Sequence, residues 1–125
     1  MLSVVVTIEA AWHRVPGGTA RVAIDLAAAL DRRADVSVIG VAARHGTAPG
    51  PDWQPGVHTV HHKLPRVALY EAWSRWSWPQ VIGHDQADIV HSTTIVVPPK
   101  SRAPLVVSVH DLAFRRHPGR FPGRA

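Results

Sequence analysis

The chain has 125 residues and a formal net charge of +5, with 46% hydrophobic and 18% charged residues. This length suffices for one domain with a single core, and the composition is that of a globular protein rather than a disordered one. No apolar run reaches the roughly 20 residues of a membrane-spanning helix. The absence of cysteine excludes a disulfide scaffold or a thiolate metal site and favours a cytoplasmic location.

The positive charge comes almost entirely from arginine, which accounts for 12 of the 14 basic residues. Arginine favours bidentate contacts with phosphate and carboxylate groups. Such a balance is typical of proteins that bind nucleic acid, an anionic membrane surface or a polyphosphate ligand. The arginines are scattered in ones and twos, however, so a basic composition without a dedicated basic patch remains an alternative.

The first part of the chain predicts a strand, a loop, a helix and a second strand. Leu2 to Ile8 is a continuous apolar and β-branched run, typical of a strand buried on both faces. A linker from Glu9 to Gly18 follows, and a helix is expected from about Thr19, its N-cap, to Arg33. Asp35 to Ala42 predicts the second buried strand. The residues expected along one face of the helix are Val22, Leu26, Ala29 and Leu30.

The remainder continues the alternation of strands and helices. Arg44 to Gly56 is rich in proline and glycine and predicts a loop, and Val57 to His62 predicts a third strand. Arg66 to Trp78 has helical periodicity, and Pro79 is expected to start another short helical turn. Two short strands are then predicted, at Ile89–Ser92 and Pro104–Val109.

This alternation predicts an α/β fold, a Rossmann-like parallel sheet with helices on both faces. We also expect the first strand to lie between the second and the Ile89 strand. Ligands of such sheets bind beyond the carboxyl ends of the strands. Three segments are therefore candidates for the site: the loop after the first strand, the segment from His91 to Thr94, and the pair His110 and Asp111.

The Gly17-Gly18-Thr19 turn follows a buried strand and opens a helix. Glycines allow close approach of a ligand, and the free N–H groups of a helix start favour an anion such as phosphate. The turn lacks both the G-x-G-x-x-G and the P-loop spacing, so the sequence does not predict nicotinamide binding or a P-loop nucleotide site. A purely structural tight turn remains an alternative.

His110 and Asp111 end the last predicted strand, where their side chains would meet the ligand crevice. An imidazole there can donate a hydrogen bond or exchange a proton near neutral pH. In the alternative interpretation Asp111 caps the following turn and His110 is a buried, hydrogen-bonded histidine. We expect no metal site, because strand alternation places His61 and His62 on opposite faces and no helical ligand spacing accompanies them.

The helical stretch carries an aromatic and basic stripe that consists of Trp73, Trp76 and Trp78 with Arg66 and Arg75. Aromatic and basic side chains suit a peripheral membrane contact. The same stripe is also typical of a core or of the wall of an acceptor pocket, and we favour that second interpretation.

Four segments carry a resemblance to a known family. Pro16 to Arg21 and the alanine-rich helix after it are similar to a first glycine loop and helix, and Leu64 to Trp73 with Asp88 to Thr94 are similar to the middle of bacterial members. The most specific match runs from Pro104 through His110 to Pro118. The chain therefore resembles glycosyltransferase family 4 over nearly its whole length.

The resemblance implies a GT-B architecture, in which two Rossmann-like domains enclose the active site. Residues 1–125 would be the amino-terminal, acceptor-side domain, incomplete at its end, and the donor-binding carboxyl-terminal domain would lie outside the chain. Family members transfer a sugar from a nucleotide-sugar donor to an acceptor with retention of configuration. They generally need no metal, so no cofactor is expected.

The resemblance also implies roles for individual residues. Gly17 and Gly18 match the loop that approaches the donor diphosphate, and His110 matches the active-site histidine near the transferred sugar. Asp111, a candidate for catalysis, and Arg21, a candidate for binding the substrate or diphosphate, lie beside these positions. Thr19 and His91 are further binding candidates. Two other functions remain open, a non-enzymatic Rossmann-type binding module for a small phosphorylated ligand and, with less support, a nucleic-acid-binding domain.

Overall fold

The fold is a five-stranded parallel sheet with helices on both faces, seen in a computed structural model that describes residues 1–94, 96–110 and 119. The strands are β1 (Leu2–Thr7), β2 (Val36–Arg44), β3 (Thr59–Pro65), β4 (Ile89–Ser92) and β5 (Leu105–Val107). The helices are α1 (Gly17–Asp31) and α2 (Arg66–Trp76), with short 3-10 helices at Glu9–Trp12 and Pro51–Trp53.

The strand order is β3-β2-β1-β4-β5, and all four pairings are parallel. The predicted place of β1 between β2 and β4 is therefore confirmed, as is the Rossmann-like α/β class. Because the strands are parallel, their carboxyl ends meet at one edge of the sheet. That edge is formed by the segments that follow Thr7, Arg44, Pro65, Ser92 and Val107.

The central strand is buried on both faces, which explains its continuous apolar run. Val4 and Val6 pack in a cluster with residues of α1 and β2, while Val5 packs on the opposite face with Val41 and Val90. Alternate residues of a strand point to opposite faces, so both faces of this strand require apolar side chains.

The buried face of α1 differs from the predicted one. The buried residues are Ala20, Ala23, Ile24 and Ala27, whereas Val22 is 45% exposed. Three of the four are alanines, whose small side chains let the helix axis approach the sheet closely. The face of α1 that packs on the sheet is therefore the one with small residues rather than the one with bulky apolar residues. Thr19 is the third residue of α1 and is not its N-cap.

Helix α2 covers the other face through Leu69 and Trp73, which form a cluster with Ala43 at the end of β2. The Trp73 indole donates a hydrogen bond to the Pro79 carbonyl (2.8 Å). The helix ends at Trp76, after which Ser77 adopts a left-handed conformation with φ of 50°.

The predicted helical turn at Pro79 is wrong: the chain forms a turn at residues 82–86 instead. None of the helices that the structure describes is long and apolar enough to cross a bilayer.

Candidate functional site

The carboxyl edge of the sheet carries two groups of polar side chains, one on each side of Thr7 at the end of β1. The first group surrounds Glu9 and joins the ends of β1, β2 and β3. The second joins Thr7 to Thr93 and His110, beyond β4 and β5. Together they span the edge at which ligands of doubly wound folds bind.

Glu9 lies in the 3-10 helix that follows β1, and only 5% of its surface is exposed. Its Oε1 atom accepts hydrogen bonds from the Ala43 amide (2.8 Å) and the His45 Nε2 atom (2.7 Å), and its Oε2 atom accepts one from Arg66 Nε (2.6 Å). The buried carboxylate is thus paired with a cation and fully hydrogen-bonded, as a buried charge requires. Sequence reasoning missed Glu9, because one acidic residue in a linker gives no signal until the fold brings its three partners together.

The ring of Trp12 is fixed next to this carboxylate. It stacks on the His45 ring at 4.8 Å with an angle of 5° between the planes, and His61 contacts it edge-on at 5.3 Å. The indole N–H donates a hydrogen bond to the Thr47 carbonyl (3.0 Å). The linker after β1 is therefore attached to the loop after β2.

The buried carboxylate and its cation influence the nearby titratable groups. Burial, with a further contribution from the Arg66 charge, lowers the pKa of His13 below its usual value. Burial, reinforced by the Glu9 charge, raises the pKa of Tyr70. Both shifts favour the neutral forms of these two side chains.

His110 is exposed and lies just beyond β5, on the same edge. Its Nε2 atom is 2.7 Å from the carbonyl oxygen of Thr93 and must carry the proton, since a carbonyl only accepts. Thr93 is itself fixed to the end of β1, because its amide donates to Thr7 Oγ1 (3.0 Å) and its hydroxyl to the Thr7 carbonyl (2.6 Å). The alternative of a buried His110 is thus wrong, and the ring is attached to the central strand through one residue.

The other predicted histidine, His91, lies within β4 and is engaged inside the sheet. Its Nε2 atom is 2.8 Å from the Ser108 hydroxyl, and burial lowers its pKa. A neutral imidazole is a weaker partner for a phosphate than an imidazolium would be. His91 therefore links β4 to the segment after β5 through its hydrogen bond to Ser108.

Gly17 and Gly18 are exposed at the start of α1, where a Cβ atom added at either position would meet nothing within 4 Å. Gly17 has φ of +64°, a conformation that favours glycine. The glycine turn is thus open to solvent at the positive end of a helix, next to Thr19. Asp111 lies outside the described residues.

Arg21 contacts the loop that follows β2. Its guanidinium donates to the Asp52 carbonyl (2.6 Å), lies 4.6 Å from the ring of Trp53 and pairs with Asp25 (3.4 Å). A cleft of about 260 Å³ lies between this loop and the linker before α1, with Trp12, His13 and Trp53 among its lining residues. Arg21 therefore contacts the cleft wall through Trp53 and the Asp52 carbonyl.

The residues of the predicted aromatic stripe separate into two environments. Trp73 is 6% exposed and belongs to the core, and Arg66 is bound to Glu9 and to the Trp12 carbonyl (2.7 Å). Trp76 is 68% exposed, and Arg75 lies on the surface, paired with Glu71. A surface contact through Trp73 is therefore wrong, and the core interpretation holds for this residue. Arg66 remains partly exposed.

The architecture defines the class as a Rossmann-like domain, a class whose ligands bind beyond the carboxyl ends of the strands. A comparison with family models matches residues 16–125 to Glycosyltransferase Family 4. Searches of curated proteins and of solved structures gave no match. The chain belongs to glycosyltransferase family 4, in agreement with the resemblance of its glycine loop and its His110 segment.

Proposed function

We propose that this chain is the acceptor-side domain of a retaining glycosyltransferase that uses a nucleotide-sugar donor. In this proposal a second Rossmann-like domain, outside the 125 residues, binds the donor and faces the carboxyl edge described above. The observation that carries the proposal is the position of His110 on that edge, in a chain that belongs to a glycosyltransferase family. The acceptor would bind between this edge and the donor domain.

The leaving group of such a reaction is a nucleoside diphosphate, so stabilisation of developing negative charge matters more than a strong base. The N–H groups at the start of α1, next to Gly17 and Gly18, would supply part of that stabilisation. Basic side chains of the donor domain would supply the rest, without a metal ion or other cofactor. The open space around both glycines supports this role, because a phosphate can approach their backbone.

His110 would act on the transferred sugar. Its Nε2–H group is held by the Thr93 carbonyl, and no hydrogen bond to Nδ1 is found among the described residues. Nδ1 is thus the ring atom that we assign to the substrate. Thr19, Arg21, His91 and Asp111 remain candidates around this centre.

We also propose that the domain makes a peripheral contact with a membrane surface through the end of α2. Trp76 and Trp78 are 68% and 66% exposed and flank Ser77, and Arg75 precedes them. Tryptophan and arginine side chains suit the boundary between headgroups and acyl chains. This surface is part of the predicted stripe, without Trp73, which is buried, and Arg66, which binds Glu9.

The two-domain mechanism predicts that the 125-residue chain alone transfers no sugar. Purified chain would be incubated with UDP-, GDP- and ADP-sugars and candidate acceptors, alongside the same chain extended by its donor domain. We expect turnover only for the extended protein, with the anomeric configuration of the donor retained in the product and the rate unchanged by EDTA. Turnover by the isolated chain would contradict the two-domain mechanism, and an inverted product would contradict retention.

A further inference from the structure

The Glu9 carboxylate joins its own linker to two parts of the chain that are distant in sequence. Its partners are the Ala43 amide at the end of β2, His45 in the loop that follows, and Arg66 at the first turn of α2. Each of these segments leaves the sheet at the carboxyl edge. One side chain therefore determines how three loops of this edge are arranged relative to one another.

The network returns to the linker that carries Glu9 itself. Arg66 uses Nε for the Glu9 carboxylate and Nη2 for the Trp12 carbonyl (2.7 Å), while His45 contacts the Glu9 carboxylate and stacks on the Trp12 ring. Trp12 in turn donates to the Thr47 carbonyl (3.0 Å). These contacts close a ring of interactions in which the linker cannot move without breaking a charged hydrogen bond.

A buried charge is poorly suited to stabilising a fold, because desolvation offsets most of the attraction between the partners. Charged hydrogen bonds are directional, however, and a planar guanidinium that binds two acceptors fixes both of them in space. An apolar residue of similar size at position 9 could fill the same volume but could not fix Ala43, His45 and Arg66 in this way. The network is therefore better explained as a device that fixes the relative positions of these segments than as one that stabilises the fold.

We infer that Glu9 is a positioning residue of the transferase site: through Arg66 and His45 it fixes the linker that leads into the glycine turn against the loop after β2. The inference rests on the proposed function, since it takes the glycine turn as the approach to the diphosphate. Trp12 precedes Gly17 by five residues, and the cleft of about 260 Å³ lies between the linker and the loop. Glu9 thereby sets both the entry to α1 and the width of this cleft.

Hydrogen exchange tests the inference without any substrate. Glu9→Gln keeps the size of the side chain and an oxygen for the Ala43 amide but removes the charge that binds Arg66. We expect exchange of the Trp12 indole N–H, which reports the bond to Thr47, to be at least tenfold faster. Exchange of the Val5 and Val38 amides, in the central strands, should stay within twofold.

Two other variants keep the result interpretable. Arg66→Lys retains the charge but cannot bind Glu9 and the Trp12 carbonyl with one planar group, and it should also release the Trp12 indole. Asp35→Asn breaks the exposed ion pair with Arg33 (2.9 Å) and serves as the matched control, with no change at Trp12. If Glu9→Gln speeds exchange equally at Trp12, Val5 and Val38, or leaves Trp12 unchanged, the residue is structural and the inference is wrong. If Glu9→Gln fails to fold, Arg66→Lys decides by the same criterion.

The two-domain enzyme provides the functional readout. With the nucleotide sugar among the UDP-, GDP- and ADP-sugars that supports turnover, Glu9→Gln should lower kcat roughly 10- to 100-fold, the scale of a small misplacement of reacting groups. Asp35→Asn should retain full kcat. Absence of transfer by the wild-type enzyme would contradict the proposed function but leave the exchange result standing. A wild-type kcat in Glu9→Gln would contradict the inference alone.

Discussion

At the scale of single residues, the histidines of this domain have different tasks that sequence spacing does not distinguish. His110 is exposed at the carboxyl edge, His45 binds the buried Glu9, and His62 is 5% exposed beneath α2, where it contacts Trp73 edge-on at 5.7 Å. The alternation of strand residues predicted that His61 and His62 face opposite sides of the sheet, and this is confirmed by their exposure and burial. The partners of each histidine come from distant segments and could not be predicted.

The buried histidines should make the domain less stable in mild acid. Burial lowers the pKa of His62, as well as those of His13 and His91, below the value of about 6.5 that applies to the unfolded chain. Below pH 6.5 the unfolded chain therefore binds more protons than the folded one. The free energy of unfolding should then fall as the pH decreases, by at most about 1.4 kcal/mol per pH unit for the buried His62 and by less for the half-buried His13 and His91.

Urea unfolding at pH 7.5, 6.5 and 5.5 measures this effect. His62→Gln should show a smaller loss of stability between pH 6.5 and 5.5 than the wild type, whatever its stability at pH 7.5. His58→Gln, at an exposed position, is the control and should keep the wild-type slope. Identical slopes for wild type and His62→Gln would show that His62 does not titrate differently in the folded state.

At the scale of elements, the positions of helix ends determine which aromatic residues are buried. Leu69, Trp73 and Trp76 follow one another at helical spacing, yet only the first two are buried, while Trp76, the last residue of α2, is 68% exposed. In α1 the buried face consists mainly of alanines, which a search for bulky apolar residues does not find. Periodicity thus predicted that both helices exist, but contact with the sheet decides their buried faces.

The end of α2 provides a prediction at this scale. The chain would be sedimented with vesicles of phosphatidylcholine and phosphatidylglycerol, and Trp76→Ser and Trp78→Ser should each weaken binding roughly tenfold, or about 1.4 kcal/mol. Val15→Ser removes another exposed apolar side chain (82% exposed) and serves as the control. Equal binding by all four proteins would contradict a membrane contact at this surface.

At the scale of the whole molecule, the fold class was the most predictable property. The alternation of strands and helices predicted a parallel α/β sheet. It did not by itself fix the place of β1 between β2 and β4, because doubly wound sheets with the same alternation have more than one strand order. Strand ends were less accurate: β2 extends to Arg44 and β5 stops at Val107, because backbone pairing with neighbouring strands sets these limits.

The candidate site was predictable only where it follows strand ends directly. Gly17, Gly18 and His110 could be placed on one edge because β1 and β5 are parallel. The network around Glu9 unites positions 9, 43, 45 and 66, and only tertiary packing creates it. Convergence of the glycine turn and His110 on one substrate remains a prediction.

The central claim, that this edge carries the transferase site, is tested most directly by His110→Ala in the two-domain enzyme. Transfer should slow by about 10²-fold, the effect of losing one positioned electrostatic or acid–base group. The melting temperature should hardly change, because the exposed ring makes its hydrogen bond only to Thr93 among the described residues. Gly18→Val should also stay folded, since its position is open, while raising the donor KM or abolishing turnover. His58→Ala, which replaces another exposed histidine, is the control and should keep full activity. Near-wild-type transfer by His110→Ala, with a markedly lower melting temperature, would contradict the account.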